Sequence, residues 1–240
     1  MHLPVIVGQL DRRILLNYHF SPDLMSGFLP APFEPRLHNG RGVGGICMIR
    51  FKQLRPRRFP GTLGINSENA AHRIAVQWRE RGEHREGVFI PRRDTASAFN
   101  RWAGGRIFPG VFQIAQFAID ESQDHYHIEI ADVGQPAHVI FDGNDTNDFS
   151  PHSIFTSLDE ASDFFAKGAV GYSASRDGSH FQGMELRLLD WHISPLKINK
   201  AYVRLFEDGV TFPQGSVILD SAMVMRRLRH EWHNIRTIPS

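Results

Sequence analysis

Histidine is the residue type in this sequence that most directly suggests metal chemistry, with 13 among 240 residues. His125 and His127 alternate along a predicted strand, and Glu129 continues the row on the same face. Two imidazoles and a carboxylate placed this way could form the facial ligand set of a transition metal. The same spacing also arises on an exposed strand face opposite apolar residues such as Tyr126 and Ile128, and short patterns are weak evidence. We therefore expect neither a metal site nor another cofactor.

Lysine, the residue type needed for amine catalysis, is scarce. The 27 basic residues include only Lys52, Lys167, Lys197 and Lys200, and arginine cannot act as an amine nucleophile. Lys52 shares a strand face with Arg50, whose charge would lower the pKa of a buried amine. The basic stretch that follows Lys52 is typical of a solvated strand end, so we do not assign it a catalytic role.

Other nucleophile and nucleotide patterns are weak. Cys47 is the only cysteine, which excludes an internal disulfide and fits a reducing compartment. Ser173 lacks the flanking glycines of a nucleophile elbow. The glycines of Gly42–Gly45 fall inside a predicted strand, where close backbone packing explains them better than a phosphate loop. His230 and His233 lie in a basic carboxy-terminal stretch predicted to end in a helix, where fold packing and a polar face account for them.

Charge and hydropathy argue against nucleic acid and membranes as partners. The 27 Lys+Arg balance 26 Asp+Glu to a formal charge of +1, so no strong field attracts either partner. The clusters Arg55–Arg58 and Arg226–Arg229 are interpreted as solvated. No apolar run approaches the roughly 18 residues of a membrane span, and the first residues do not resemble a signal peptide. We expect a soluble, cytoplasmic protein.

The elements that must position these residues are mainly strands. Turn signals recur every eight to fifteen residues, and the segments between them alternate with period two. Three short helices interrupt them: one opened by Pro22, one begun by Asp94 or Thr95, and one begun by Ser157 with Glu160 in a capping box. The pattern predicts an α+β, β-rich fold in a single domain over residues 1–240.

Several segments carry a family resemblance. The run Tyr18–Glu34, a strand, a short helix and a Leu-Pro-x-Pro turn, resembles the amino-terminal segment of acetoacetate decarboxylases. Ala96–Trp102 and the Phe-Pro step at Arg106–Pro109 resemble their next helix and turn. The chain is also similar, from about Ile14 to Trp232, to a large family of unknown function in the acetoacetate decarboxylase-like superfamily. The resemblance implies an antiparallel, cone-shaped β-barrel with a few short helices around a small pocket.

The resemblance also implies a loss of the decarboxylase reaction. That reaction needs a neutral lysine amine that forms a Schiff base with the substrate ketone. The family's lysines fall at Gly110 and Val111 here, and neither residue can form one. One pocket acid of the family falls near Gly45, where no carboxylate exists.

The remaining pocket residues of the family have counterparts. Glu68 matches a pocket acid, and the pocket arginine falls at Arg12 or Arg13. We expect Glu68 to face an enclosed pocket together with an arginine of the first strand or of the region containing Arg101 and Arg106. The candidate ligand-binding residues are therefore Glu68, Arg13, Arg101 and Arg106.

These expectations lead to a function of limited detail. A carboxylate and arginines in a small pocket suit a small organic carboxylate or carbonyl ligand. The sequence leaves open whether any catalysis occurs and whether the chain forms a homo-oligomer. The alternative is a non-enzymatic ligand-binding or assembly module, which a pocket filled with core side chains would favour.

Overall fold

The computed structural model describes residues 4–104 and 109–240. The strands are β1 (Ile6–Phe20), β2 (Glu34–Pro35), β3 (Leu37–His38), β4 (Arg41–Pro56), β5 (Ile65–Glu80), β6 (Glu83–Thr95), β7 (Phe112–Glu121), β8 (His125–Asp132), β9 (Ala137–Asp145), β10 (Val170–Ala174), β11 (His180–Leu188), β12 (Ser194–Val203) and β13 (Val217–Pro239). The α-helices are α1 (Pro22–Ser26), α2 (Ala98–Ala103), α3 (Leu158–Ala166) and α4 (Arg204–Glu207). This confirms the prediction of a β-rich α+β fold with short helices. None of the described helices is long and apolar enough to cross a membrane.

Two helices begin at serines. For α3 the prediction is confirmed, because the Ser157 side chain accepts a hydrogen bond of 3.1 Å from the Glu160 amide. For α2 the predicted start is corrected, because Ser97 accepts from the amide three residues further on. Asp94 and Thr95, the residues expected to begin that helix, still belong to strand β6.

The carboxy-terminal segment is a strand, and the prediction of a closing helix is wrong. β13 runs for 23 residues and pairs with β1 along most of the length of β1. Its second half also pairs with β11, so that Trp232 lies between Ile6 on one side and Leu186 on the other. Pairing on both sides satisfies the backbone of β13 without a helix.

Strand pairing closes into two rings that share one wall. The shared wall contains β13, β1, β4, β5 and β6 in that order. In the smaller ring, β10 and β11 connect β6 back to β13, which makes seven strands. In the larger ring, β7, β8, β9 and β12 connect β6 back to β13, which makes nine strands.

Both faces of the shared wall carry apolar core residues because each face lies inside a ring. On β1, Ile14 and Leu16 belong to a core cluster that includes Phe141 of the larger ring. Leu15, between them, belongs to a second cluster that includes Phe164 of α3. Since side chains alternate along a strand, consecutive residues of β1 enter two separate interiors.

Candidate functional site

A cavity of about 100 Å³, partly open to solvent, lies between the smaller ring and α3. All seven strands of that ring contribute to its walls, and Phe164 and Phe165 of α3 cover it. A cavity of this size can hold several waters or a ligand of a few heavy atoms. Arg13, Gly168 and Leu186 line both this cavity and an open surface depression, so the depression marks the nearest route from solvent.

Three arginines from separate strands of the shared wall line this cavity. Arg13 lies on β1, Arg73 on β5 and Arg93 on β6. Strand alternation places all three on the face that carries Leu15 and Cys47, away from the larger ring. We refer to Arg13, Arg73 and Arg93 with the space they enclose as the arginine cavity.

Neutral groups hold these guanidinium groups in place. Arg73 donates to the Asn17 side chain, and its guanidinium lies 4.8 Å from the centre of the Phe165 ring. Arg93 donates to the Ser173 hydroxyl at 3.0 Å. The buried Nε atoms of Arg13 and Arg73 have no hydrogen-bond partner within the described parts of the chain. The arginines are therefore oriented but retain free donors.

Arg73 and Arg93 carry charge in surroundings that disfavour it. Arg73 is 4% exposed, and burial lowers its pKa. Burial also lowers the pKa of Arg93, to about 10. Both groups remain protonated at neutral pH, so the cavity is strongly positive.

No carboxylate lies within 4 Å of these three guanidinium groups over residues 4–104 and 109–240. Arg36, which also lines the cavity, differs because it pairs with Glu86 at 3.2 Å. The cavity is thus a site of uncompensated positive charge.

Cys47 is the one cavity-lining residue other than arginine with a titratable side chain, as far as the described residues go. Its Sγ lies 3.6 Å from Nη2 of Arg13. Burial raises the pKa of the Cys47 thiol, but the charges of Arg73 and Arg13 outweigh this effect and bring it below its usual value. The site therefore combines three cations with a polarised thiol.

Glu68 lies on the opposite face of the wall, in a closed ionic cluster. Its carboxylate accepts from Arg12 at 2.7 Å and also from Arg50. Glu121 of β7 accepts from the same two arginines, at 2.6 Å from Arg50. Lys52 and Asp11 extend the cluster with a 2.9 Å ion pair. Three cations and three carboxylates meet here, so the cluster is neutral and saturated.

The structure does not bring together Glu68, Arg13 and Arg101, the predicted site residues that it describes. Arg13 lines the arginine cavity, whereas Glu68 pairs with its neighbour Arg12. Arg101 is exposed on α2, where it borders an open depression with Trp102. Arg106 lies outside the described residues.

Gly110, where the resemblance to acetoacetate decarboxylases places the reactive lysine, lies beside the arginine cavity, next to Arg93 and Ser173. Its φ of +77° is a conformation that suits glycine. A Cβ at Gly110 would lie 2.6 Å from the Ser173 Cβ and 3.4 Å from Nε of Arg93. All four lysines of the chain are exposed, and none lines the cavity.

The two histidine patterns do not converge on one ligand set. His125 and His127 share one oxygen of Asp142, at 3.2 and 3.0 Å, while His127 also contacts Glu129 at 3.3 Å. These distances are those of hydrogen bonds rather than of groups spaced around an ion. In β13, His230 is buried whereas His233 is more exposed and contacts a carboxylate.

A second histidine and carboxylate cluster, at Asp94, Asp132 and His138, has donor atoms close enough for a metal ion. Arg92 already bonds both carboxylates, at 2.9 Å to Asp94 and 2.5 Å to Asp132. His138 also contacts Asp94, at 3.3 Å. The cluster is thus a largely paired network.

Comparisons with known proteins agree with this architecture. The sequence model of the family DUF2071, described as an uncharacterized conserved protein, matches residues 8–223. No curated protein matches the sequence.

Solved structures share the fold. An acetoacetate decarboxylase from Legionella pneumophila is similar with a TM-score of 0.61 and 12% identity, over 98% of this chain and 88% of its own. An acetoacetate decarboxylase-like enzyme from Sphingomonas wittichii gives 0.62 and 11%, over 99% and 93%. The enduracididine biosynthesis enzyme MppR, in complex with pyruvate, gives 0.58 and 10%, over 100% and 91%. The expected acetoacetate decarboxylase-like fold is confirmed.

Proposed function

Since the chain belongs to the DUF2071 family and has an acetoacetate decarboxylase-like fold, we propose that it binds a small organic carboxylate in the arginine cavity without forming a Schiff base. The observation that carries this proposal is the set of three guanidinium groups around one cavity with no carboxylate beside them among the described residues. Arg13, a candidate from the sequence, belongs to this proposed site. Its proposed partners are Arg73 and Arg93 rather than Glu68 and Arg101.

The physical argument is one of charge compensation. An unpaired charge in a dry interior is destabilising by several kcal/mol, whereas a bound anion would neutralise it. A carboxylate presents two oxygens that match the planar fork of a guanidinium group. The open space between the arginines, unfilled by core side chains, supports ligand binding over a purely structural or assembly role.

The proposal excludes the decarboxylase mechanism because that mechanism needs an amine at the ligand. The four lysines lie at exposed positions, and Lys52 is held in an ion pair with Asp11. Glycine at position 110 leaves no side chain where the resemblance to acetoacetate decarboxylases places the nucleophilic lysine. A similar protein, MppR, is known with pyruvate, a small 2-oxo acid. We place a ligand of that size in the arginine cavity.

Isothermal titration calorimetry with pyruvate and with acetoacetate tests the proposal. We expect saturable binding by the wild-type chain and a loss of roughly tenfold to a hundredfold in Arg73→Gln, the range of a charged hydrogen bond. Arg57→Gln, at a position that is 59% exposed and far from the cavity lining, is the matched control and should bind like wild type. Equal affinities of wild type and Arg73→Gln, or no heat with either acid, would refute the proposal.

A further inference from the structure

We infer that the ligand of the arginine cavity is a dicarboxylate, with one carboxylate beside Arg13 and Arg73 and the other beside Arg93. The inference rests on the proposed function and specifies its ligand class. It follows from the number of uncompensated charges and from the separate strands that carry them.

The first step is the charge count. Arg13, Arg73 and Arg93 contribute three positive charges, and the described lining residues contribute no carboxylate. The fourth lining arginine, Arg36, is neutralised by Glu86, which lies outside the lining. Cys47 is the one lining group that could carry a negative charge. The cavity therefore holds a net charge of +2 with a thiolate and +3 with a thiol. A ligand with one carboxylate leaves at least one cation uncompensated. A ligand with two carboxylates neutralises a cavity of net charge +2.

On the opposite face of the same wall, carboxylates neutralise the positive side chains. There, Arg12 and Arg50 each bond two carboxylates, and Lys52 bonds a third. The fold thus pairs these cations, including the buried Arg12, with acids where no ligand is expected. The lack of acids in the arginine cavity is a local property rather than a general feature of the chain.

The second step is the position of the cations. Arg13 reaches the cavity from β1, where its Nη2 is 3.6 Å from the Cys47 sulfur. Arg93 reaches it from β6, where it donates to Ser173 of β10 at 3.0 Å, and the charge of Cys47 also acts on it. β4 and β5 separate β1 from β6 in the sheet. We therefore place one carboxylate of the ligand beside Arg13 and the other beside Arg93, and these two positions are the two ends of the proposed site.

Arg73 connects these two ends. Ala71 lies two residues before Arg73 on the same face of β5 and is paired with Arg93 on β6. Arg73 therefore lies diagonally across from Arg93. Its charge also acts on Cys47 together with that of Arg13. A dicarboxylate with four or five carbons in total, including those of the carboxylates, would have all three guanidinium groups within reach.

Calorimetry with three probes tests the inference: succinate, butyrate and inorganic phosphate. Succinate and butyrate both have four carbons but differ in the number of carboxylates, and phosphate is a compact dianion. We expect succinate to bind about tenfold or more tightly than butyrate, since a second carboxylate adds a charged hydrogen bond. We also expect succinate to bind more tightly than phosphate.

Variants separate the two ends of the cavity. Arg93→Gln should weaken succinate about tenfold while changing butyrate less than about threefold, because butyrate can remain at the Arg13 end. Arg93→Lys, which keeps the charge, should bind succinate more tightly than Arg93→Gln. Circular dichroism and thermal unfolding of each variant establish that it is folded.

The outcomes distinguish this inference from the proposed function. Butyrate binding as tightly as succinate overturns the dicarboxylate assignment and leaves the proposed carboxylate site in place. Phosphate binding more tightly than succinate overturns the two-ended arrangement in favour of a single anion site. Failure of all three probes, together with pyruvate and acetoacetate, overturns both.

Discussion

Arg12 and Arg13 are neighbours in the sequence, yet their guanidinium groups lie on opposite faces of the shared wall. Arg12 meets Glu68 and Glu121, two carboxylates that neutralise it. Arg13 meets the sulfur atoms of Cys47 and Met225, and no carboxylate within the described chain. A shift of one residue on a strand moves a side chain to the other face, so this pair separates a structural cluster from a candidate ligand site.

Glu68→Gln is expected to destabilise the fold rather than to remove ligand binding. The substitution takes a charged acceptor from Arg12, which is 3% exposed, and from Arg50. Glu121 still pairs with both arginines, so we expect a loss of about 2 kcal/mol in the free energy of unfolding. Urea denaturation measures this loss. Glu83→Gln, in an exposed pair with Arg85, is the control and should change stability by less than about 1 kcal/mol. If Glu68→Gln left the free energy of unfolding unchanged and abolished carboxylate binding, Glu68 would belong to the ligand site.

Arg73→Met is expected to have the opposite effect on the unliganded protein. Burial without a carboxylate disfavours the Arg73 charge, so a methionine of similar length should raise the free energy of unfolding by about 1 kcal/mol. The gain is limited because the Asn17 side chain loses its donor. The matched control is Arg12→Met, which leaves Glu68 and Glu121 with Arg50 as their one shared cation among the described residues and should be destabilising by about 3 kcal/mol. Chemical denaturation in the absence of small acids checks both variants, and equal destabilisation by the two would contradict the charge argument.

The sequence predicts most of the fold because local patterns carry it. Alternation identifies β8, and the Ser157 cap identifies the start of α3. The pattern also predicts a strand over Ser216–Met225, the first part of β13. The second part escapes prediction because its pairing partners, β1 and β11, are far away in the sequence. Tertiary pairing of this kind outweighs local preference.

The site is less predictable, for a related reason. Alternation of Ile74 and Val76 with Arg73 suggests a half-buried strand with the arginine on the solvated side. The structure buries Arg73 because β10, β11 and α3 cover that second face. Ala71 and Ala75, small residues on either side of Arg73 on its own face, are the signal that could have indicated burial. The single-domain organisation stays a prediction.

Treatment with acetoacetate and borohydride is expected to leave every lysine unmodified. A Schiff base requires an amine at the ligand, whereas all four lysines are exposed and none lines the arginine cavity. Intact-mass measurement followed by peptide mapping detects any adduct. Gly110→Lys should not create one, because its Cβ would clash with Ser173 at a φ that disfavours side chains. A reproducible wild-type adduct on any lysine would restore Schiff-base chemistry to this protein.

Stability is expected to fall as the pH drops from about 6.5 to about 4, because two buried histidines stay neutral in the folded state. Burial lowers the pKa of His72 to about 4, despite the nearby Asp94 carboxylate. Burial and the charge of Arg13 lower the pKa of His230 to about 4 as well. In this window the unfolded chain binds protons that the folded chain does not, so the folded state is progressively disfavoured.

Between pH 7 and pH 5, each of these histidines should decrease the free energy of unfolding by about 2 kcal/mol. Burial raises the pKa of Asp94, but hydrogen bonds from His138 and Arg92 hold it below its usual value, so its contribution is lost only at lower pH. Urea denaturation at a series of pH values measures the slope, and His230→Gln should reduce it by about half. His84→Gln, at an exposed position, should leave the slope unchanged. A wild-type stability that stays constant from pH 7 to pH 5 would show that the two imidazoles are protonated in the folded state or are not buried.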